Sequence, residues 1–385
     1  MEQLYYRYIE GTTMDTSEPR PDTTGGGDGA PASGRPPLSR RNLFGLVGVT
    51  AVAGGLAACS TSPAGDTAAT PSAPSAQAAS GAHAAAPEAP QGDHVRVLGV
   101  NGGPVLSTQH SQPALALVVG QRVYLIDCGG NTAQRMVDAG LGFTGLSNVF
   151  LSHLHADHTA GLSTVAILGW TYPAPLGPLA VWGPPQTEAM IAGMQQSLAD
   201  PTRLFASGGG FPPRQPVTAR PVSLPPTGIV EVMRDDHVTV TATRVYHGPE
   251  VADAYAYRFD IAGSGRSVVF SGDTAGPNEA LIALARGADV LFHEVQMTSA
   301  IDQILQRSPA ADRVALRTHL LNSHTDVAVV PEVAQRAGVR HLVLCHYTPA
   351  FVPIADFRSA AEKAAQKVGF TGRLTAPTEL DTITL

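Results

Sequence analysis

One stretch restricts the fold more than any other: NVFLSHLHADHTAGL, from Asn148 to Leu162. Val149, Phe150 and Leu151 read as a buried strand. Directly after it, His153, His155, Asp157 and His158 fall within six residues. His153 and His155 are two apart, so on extended backbone they point the same way. Asp157 and His158 follow where the chain turns into a helix through TAGL. Such a chain needs a strand that ends at an open edge and a helix that starts at once behind it. Nitrogen and carboxylate donors gathered at that edge suit zinc or a similar borderline ion. Four donors this close cannot all face one point, so two adjacent cations are the simpler arrangement.

Other apolar runs repeat the pattern. HVRVLGV, ALALVVG, RVYLIDCGG, LAVWGP, VTVTATRVYHG, AYAYRFDI, RSVVFSGDT, DVLFHE and HLVLCHY read as strands. Asn278–Arg286 and Val327–Ala337, the latter before Gly338, read as helices. Hairpins mixed with strand–helix–strand units predict two sheets covered by helices. Ligand-type side chains recur where the apolar runs stop, which is where a rigid scaffold can present them.

The first 91 residues behave differently. Arg40-Arg41 precede a short apolar stretch, rich in glycine, that ends Leu56-Ala57-Ala58-Cys59. It is too short for a comfortable membrane span and resembles a twin-arginine signal closing on a lipobox. Residues 1–58 are expected to be a signal segment, with Met14 offering a second start. Cys59 would then carry lipid and anchor the chain at the outer face of the cytoplasmic membrane. Residues 59–91 hold Ala, Pro, Ser, Thr and Gly, too little apolar surface to fold, and are expected to be a disordered tether. The catalytic domain is expected over 92–385.

Composition adds limits. The 385 residues carry 25 Lys and Arg against 32 Asp and Glu, a net charge of −7. An acidic balance argues against a long polyanion as partner. The three cysteines, Cys59, Cys128 and Cys345, make no disulfide framework. Cys128 and Cys345 end strand-like runs and read as small buried side chains. His341 opens a strand and reads as structural. His110 and His319 lie near loops that could line a site. Trp170, Tyr172 and Phe205 read as core before pocket.

SHLHADH resembles the H-x-H-x-D-H signature of the metallo-β-lactamase superfamily. YHG at His247, SGDT at Asp273 and LCHYTP at His346 follow in the family's order. LGVNGG, LIDCGG, WGPPQT, FHEV and NSHTD are similar to the ribonuclease Z branch, which includes arylsulfatases and cyclic-nucleotide phosphodiesterases. The resemblance runs from about Val95 to Pro349. It implies a four-layer αββα sandwich of α/β class, with a site at one edge between two sheets. It implies two divalent metal ions, zinc by family habit. His153, His155 and His247 would hold one, Asp157, His158 and His346 the other, and Asp273 would bridge them. The implied reaction is ester hydrolysis by a metal-bridged hydroxide. Asp157 would hold the nucleophile's proton. His324 would contact substrate and protonate the leaving oxygen, and Glu294 would orient His324.

Two departures shape the substrate expectation. Gly263-Ser264-Gly265 leaves only a short turn where bacterial ribonuclease Z carries a tRNA-gripping arm. Gln186–Thr227 holds an added segment, expected to be a lid or loop near the cleft. The expected substrate is therefore a small-molecule phosphodiester or sulfate ester, with no tRNA or DNA partner. A lactonase or β-lactamase-type carbonyl hydrolase is the alternative enzyme. A lipoprotein that binds metal or ligand without turnover is the alternative class, disfavoured because a storage site needs no proton donor.

Overall fold

The computed structural model describes residues 92–307 and 313–385. The expected signal segment, with Arg40 and Arg41, and the tether beginning at Cys59 lie outside the described residues. Among the described residues two sheets of seven strands form. The first contains β1 (His94–Gly99), β2 (Ala114–Val119), β3 (Arg122–Ile126), β4 (Leu146–Phe150), β5 (Leu179–Gly183) and β6 (Val217–Pro221), in that order. The second contains β7 (Val230–Arg234), β8 (Val238–Val245), β9 (Ala254–Ile261), β10 (Ser267–Phe270), β11 (Val290–Gln296), β12 (His341–Thr348) and β13 (Arg373–Thr375). The last strand, β14 (Thr382–Thr384), returns to pair with β1 in the first sheet.

Helices α1 (Thr132–Asp138), α2 (Ala156–Thr159), α3 (Leu162–Thr171), α4 (Thr187–Ser197) and α5 (Ala199–Gly209) belong to the first half of the domain. The second half contributes α6 (Glu279–Leu284), α7 (Ile301–Arg307), α8 (Arg313–Ser323), α9 (Val330–Ala337) and α10 (Ile354–Val368). Strand alternation sorts the apolar residues into two cores. In β3, Val123 and Leu125 pack outward with Met136, Val165 and Ile191 of the helices. Tyr124 and Ile126 face inward, into the core shared with Val240, Phe259 and Phe292 of the second sheet. Phe150 meets Phe259 edge-on across the interface, ring centroids 5.0 Å apart. The layers are thus helix, sheet, sheet, helix, as the sequence predicts.

Each of the ten strand-like runs is a strand. The short strands β6, β7, β13 and β14 carry weaker patterns and escape sequence reading. Asn278 caps α6, its Oδ1 accepting from the Ala280 and Leu281 amides at 3.0 and 3.1 Å. The segment expected as a lid or loop corrects to structure. It forms α4, α5 and β6, with β6 paired in parallel to β5. The helix-forming run TEAMIAGMQQS buries Ile191 in the outer core and so belongs to the scaffold.

Parallel pairs dominate one end of both sheets: β3 with β4, β4 with β5, β10 with β11 and β11 with β12. Parallel strands deliver their carboxyl ends to a common edge. Asp127, His153 and Asp273 lie just past such ends and Glu294 and His346 two residues before them, which is where ligands gather in sheets of this kind.

Candidate metal centre

The seven expected cation-binding residues come together at that edge. Asp273 Oδ2 lies at the middle. It is 3.1 Å from His346 Nε2, 3.4 Å from His158 Nε2, 3.7 Å from His247 Nε2 and 4.0 Å from His153 Nε2. Asp157 Oδ2 sits 3.5 Å from both His158 Nε2 and His346 Nε2. His155 Nδ1 faces His153 Nε2 at 2.8 Å and His247 Nε2 at 3.2 Å. All seven side chains are buried except His155, which is half-buried at the mouth.

Local structure explains the convergence. The bend after β4 sends His153 and His155 into the space between the sheets. Helix α2 then carries Asp157 and His158 on its buried side. His346 is delivered by a bulge: Glu294 pairs with Cys345 but Val295 pairs with Tyr347, leaving His346 as the extra residue. Its φ of 50° is left-handed, uncommon for a residue with a Cβ, and it turns the imidazole toward Asp273. Asp127 has the same kind of backbone, φ 58°, just after β3.

The outer hydrogen bonds fix the rings. His158 Nδ1 donates to Asp127 Oδ2 at 2.8 Å, and His247 Nδ1 donates to the Ser323 carbonyl at 2.6 Å. Ser152 Oγ donates to Asp127 Oδ2 and lies 3.0 Å from His153 Nδ1, which donates to it. With Nδ1 protonated, the neutral rings of His153 and His247 turn a bare Nε2 lone pair inward, the tautomer a metal ligand needs, and Asp127 holds His158 in the matching orientation. The bare Nε2 atoms of His153 and His247 then both face His155 Nδ1. The buried Nε2 atoms of His158 and His346 make no hydrogen bond within the described residues, although carboxylate oxygens are near. Ring nitrogens converging on two shared carboxylates fit a cation, and imidazole with carboxylate suits zinc.

Charge reinforces this. Burial, helped by the neighbouring His158, holds His153 well below the usual imidazole range. Burial also lowers His155, and it pushes His247 down to about 3, with His324 adding to it. Burial opposes protonation of His158 and His346, but Asp273 and its partner carboxylates outweigh it. His158 rises well above its usual value, and His346 reaches about 10. Burial would raise both carboxyls, yet the two imidazoles hold Asp157 and Asp273 low.

His324 and Glu294 stand beside the cluster. His324 Nδ1 is 3.2 Å from Glu294 Oε2, and Glu294 Oε1 accepts from the Thr325 amide at 2.6 Å. The His324 ring lies 5.0 Å from that of His247 and 5.4 Å from that of His346. Glu294 thus fixes a ring next to the cluster, as expected. Asp127, Ser152 and Ser323 were not among the expected site residues. Asp127 had a readable signal, an acidic residue ending the apolar run VYLID, whereas a backbone carbonyl has none. His110 is tied to Glu379 at 2.9 Å. His341 bonds Thr375 Oγ1 at 2.8 Å, a structural role. Trp170 is buried with its indole N–H on the Pro212 carbonyl, and Tyr172 packs on Phe143.

Fold and cluster together define a metallo-hydrolase class. The beta-lactamase superfamily domain profile matches residues 122–347, and the chain belongs to the metallo-β-lactamase superfamily. Among its relatives is ribonuclease Z of Mycobacterium bovis, 32% identical over 293 residues, 74% of this chain and 96% of that protein. Ribonuclease Z of a Mycobacterium species (strain KMS) is 34% identical over 278 residues, 70% and 90% of the two chains. Solved structures share the fold. YhfI, a metallo-β-lactamase fold protein from Bacillus subtilis, superposes with TM-score 0.53 at 18% identity, covering 75% of this chain and 98% of its own. The short form of human tRNase Z gives 0.52 at 16% identity, covering 76% and 98%.

These relatives correct one expectation, that of a small-molecule ester partner with no tRNA or DNA. Ribonuclease Z enzymes match over nearly their whole length, so the likeness reaches the parts of the chain that build the site. The expectation weighed total charge and a missing arm. Both bear on long-range grip, whereas the bond to be cut is chosen at the cluster, where cations would reverse the local sign.

Proposed function

We propose that this chain is a two-cation phosphodiesterase that cleaves phosphodiester bonds of RNA. The observation that carries it is Asp273 Oδ2, within 4.0 Å of four imidazole nitrogens from both sheets. His153, His155 and His247 would hold one cation, and Asp157, His158 and His346 the other, with Asp273 shared. Bound there, two divalent ions, zinc by donor type, would neutralise phosphate oxygens and acidify water. The chain's own residues do the rest. Asp157 stays ionised, with Oδ2 accepting from the Gly103 amide at 3.1 Å, and can accept a proton-bearing nucleophile's hydrogen bond. His324, with Nδ1 tied to Glu294, keeps its other ring nitrogen for the leaving oxygen. Burial of the cluster excludes water and strengthens each of these interactions.

The test is a panel: a short RNA, bis(nitrophenyl) phosphate, an aryl sulfate and a β-lactam, each with and without chelator. Chelator-sensitive cleavage of RNA and the phosphodiester is expected. Turnover confined to the sulfate or the lactam would refute the proposal, as would zinc uptake with no turnover of any substrate.

We also propose export of the chain, supported by Arg40-Arg41 and the lipobox ending at Cys59. An exported nuclease would meet its RNA outside the cytoplasmic membrane. Replacing both arginines with lysine should leave unprocessed precursor inside the cell. Lipidated, membrane-bound protein in that variant would sink the export claim without touching the chemistry.

A further inference from the structure

Two histidines that are not among the seven cluster residues lie near His247. The His324 ring lies 5.0 Å away and the His319 ring 6.4 Å away. Each faces a glutamate: His324 Nδ1 meets Glu294 and His319 Nδ1 meets the Glu250 carboxylate. Both ride on one segment, His319 near the end of α8 and His324 one residue beyond it. Ser323, between them, holds His247 through its carbonyl. The position of the end of α8 therefore sets a cluster residue and the candidate proton donor together.

Just past the helix the chain is anchored at Thr325, whose amide donates to Glu294 Oε1 and whose Oγ1 donates to the Thr274 carbonyl, both at 2.6 Å, whereas α8 itself has fewer ties to the body of the domain. Helices α7 and α8 form their own small cluster of Ile301, Leu305 and Leu320, separate from the two large cores. Within α8 only Leu320 and Ser323 are buried. Gln296 Nε2 donates to the Leu320 carbonyl at 2.9 Å from the body of the domain. A further tie, made on the helix itself, comes from the loop after His247, where Glu250 folds back onto His319 of α8. Gly248 permits it: its φ is 83°, and a Cβ there would sit 2.8 Å from Ser323 Oγ and 2.9 Å from Glu250 Oε2.

We propose that Glu250 and His319 are a positioning pair. They seat the end of α8 against the loop after His247, so that Ser323 stays on His247 and His324 stays on Glu294. The inference rests on the two-cation reading of the cluster. The pair is partly exposed, with side chains 45% and 35% accessible, so its effect is local positioning more than global stability.

The test uses the full chain with Glu250→Ala, His319→Ala, the double variant and Glu250→Gln. Zinc affinity is read by competition with a chromogenic chelator, alongside thermal midpoints and phosphodiester kcat and KM. Each alanine variant should weaken zinc binding about tenfold, the low end for outer hydrogen-bond partners. The double variant should be no worse than either single, because one interaction is lost once. Glu250→Gln, which keeps an acceptor, should recover most of the affinity. Midpoints should stay near wild type, and kcat should fall with KM little changed. Wild-type zinc affinity in both singles, or losses that add in the double, would overturn the pairing alone. A wild-type chain that takes up no zinc would overturn the cluster reading and this inference with it.

Discussion

The two halves of the cluster use the same side chain in opposite electrical states. On one side, His153, His155 and His247 are held neutral by burial, and His247 is pushed to about 3. On the other, His158 and His346 sit against Asp157, Asp127 and Asp273 and are pulled upward, His346 to about 10. The first half is a set of neutral rings whose nitrogens face one another. The second, without a cation, satisfies its carboxylates with protons on its imidazoles. Histidine does not specify its own role here; the carboxylates around it do. Asp273 belongs to both halves, with its Oδ2 within 4.0 Å of two imidazoles from each.

The largest expected effect therefore falls on Asp273. Wild-type protein should hold about two zinc ions, and Asp273→Ala should lose tight binding of both. Elemental analysis showing one ion kept at full affinity would break the shared-carboxylate picture. Next comes His324→Ala, which should keep both ions and lose about a hundredfold in rate. The loss should shrink for a nitrophenolate leaving group, which needs no proton. Equal losses for good and poor leaving groups would remove the general-acid role and leave only substrate contact.

Asp127→Asn sharpens the contrast between the halves. It touches His158 and, through Ser152, His153, but it lies nearest the carboxylate-rich half. Affinity for one of the two ions should fall about 10- to 100-fold, with the other nearly unchanged. Equal loss of both in stepwise zinc titrations would contradict it. The cation-free protein gives the smallest and most direct comparison. The low value for His247 means its neutral burial stabilises the fold fully above the usual 6.5, a contribution lost as pH falls toward 3. The raised value for His346 works the other way: its contribution is complete below 6.5 and is lost as pH rises through about 10. Stability of the stripped protein should decline on both sides of neutrality, and imidazole nitrogen NMR should find His346 charged and His247 neutral at pH 7. The same charge state on both rings would erase the distinction.

Much of this was legible in the chain alone. Val149-Phe150-Leu151 followed by four donors announced a strand edge with a metal-type cluster, because period-two burial and donor chemistry are both local properties. The same logic found ten strands, a helix beginning near Asn278 and the pairing of His324 with Glu294 through a resembling motif. It did not find Asp127, Ser152 or the Ser323 carbonyl. Asp127 lies 31 residues from His158, and Ser323 lies 76 from His247, so only the pairing of strands brings them into reach. It misread the segment Gln186–Thr227, whose glycines and prolines outweighed a helix that has a core to pack on. The partner expectation, overturned by the ribonuclease Z relatives, rested on net charge, which is a sum over the chain and says little about any one edge. The sequence by itself determined which donors the chain owns and that they stand at strand ends. The tertiary structure alone decided which lone pairs meet, which carboxylate is shared and which histidines are charged. Those depend on distances of a few ångströms between residues far apart in sequence, and burial sets how strongly such distances count.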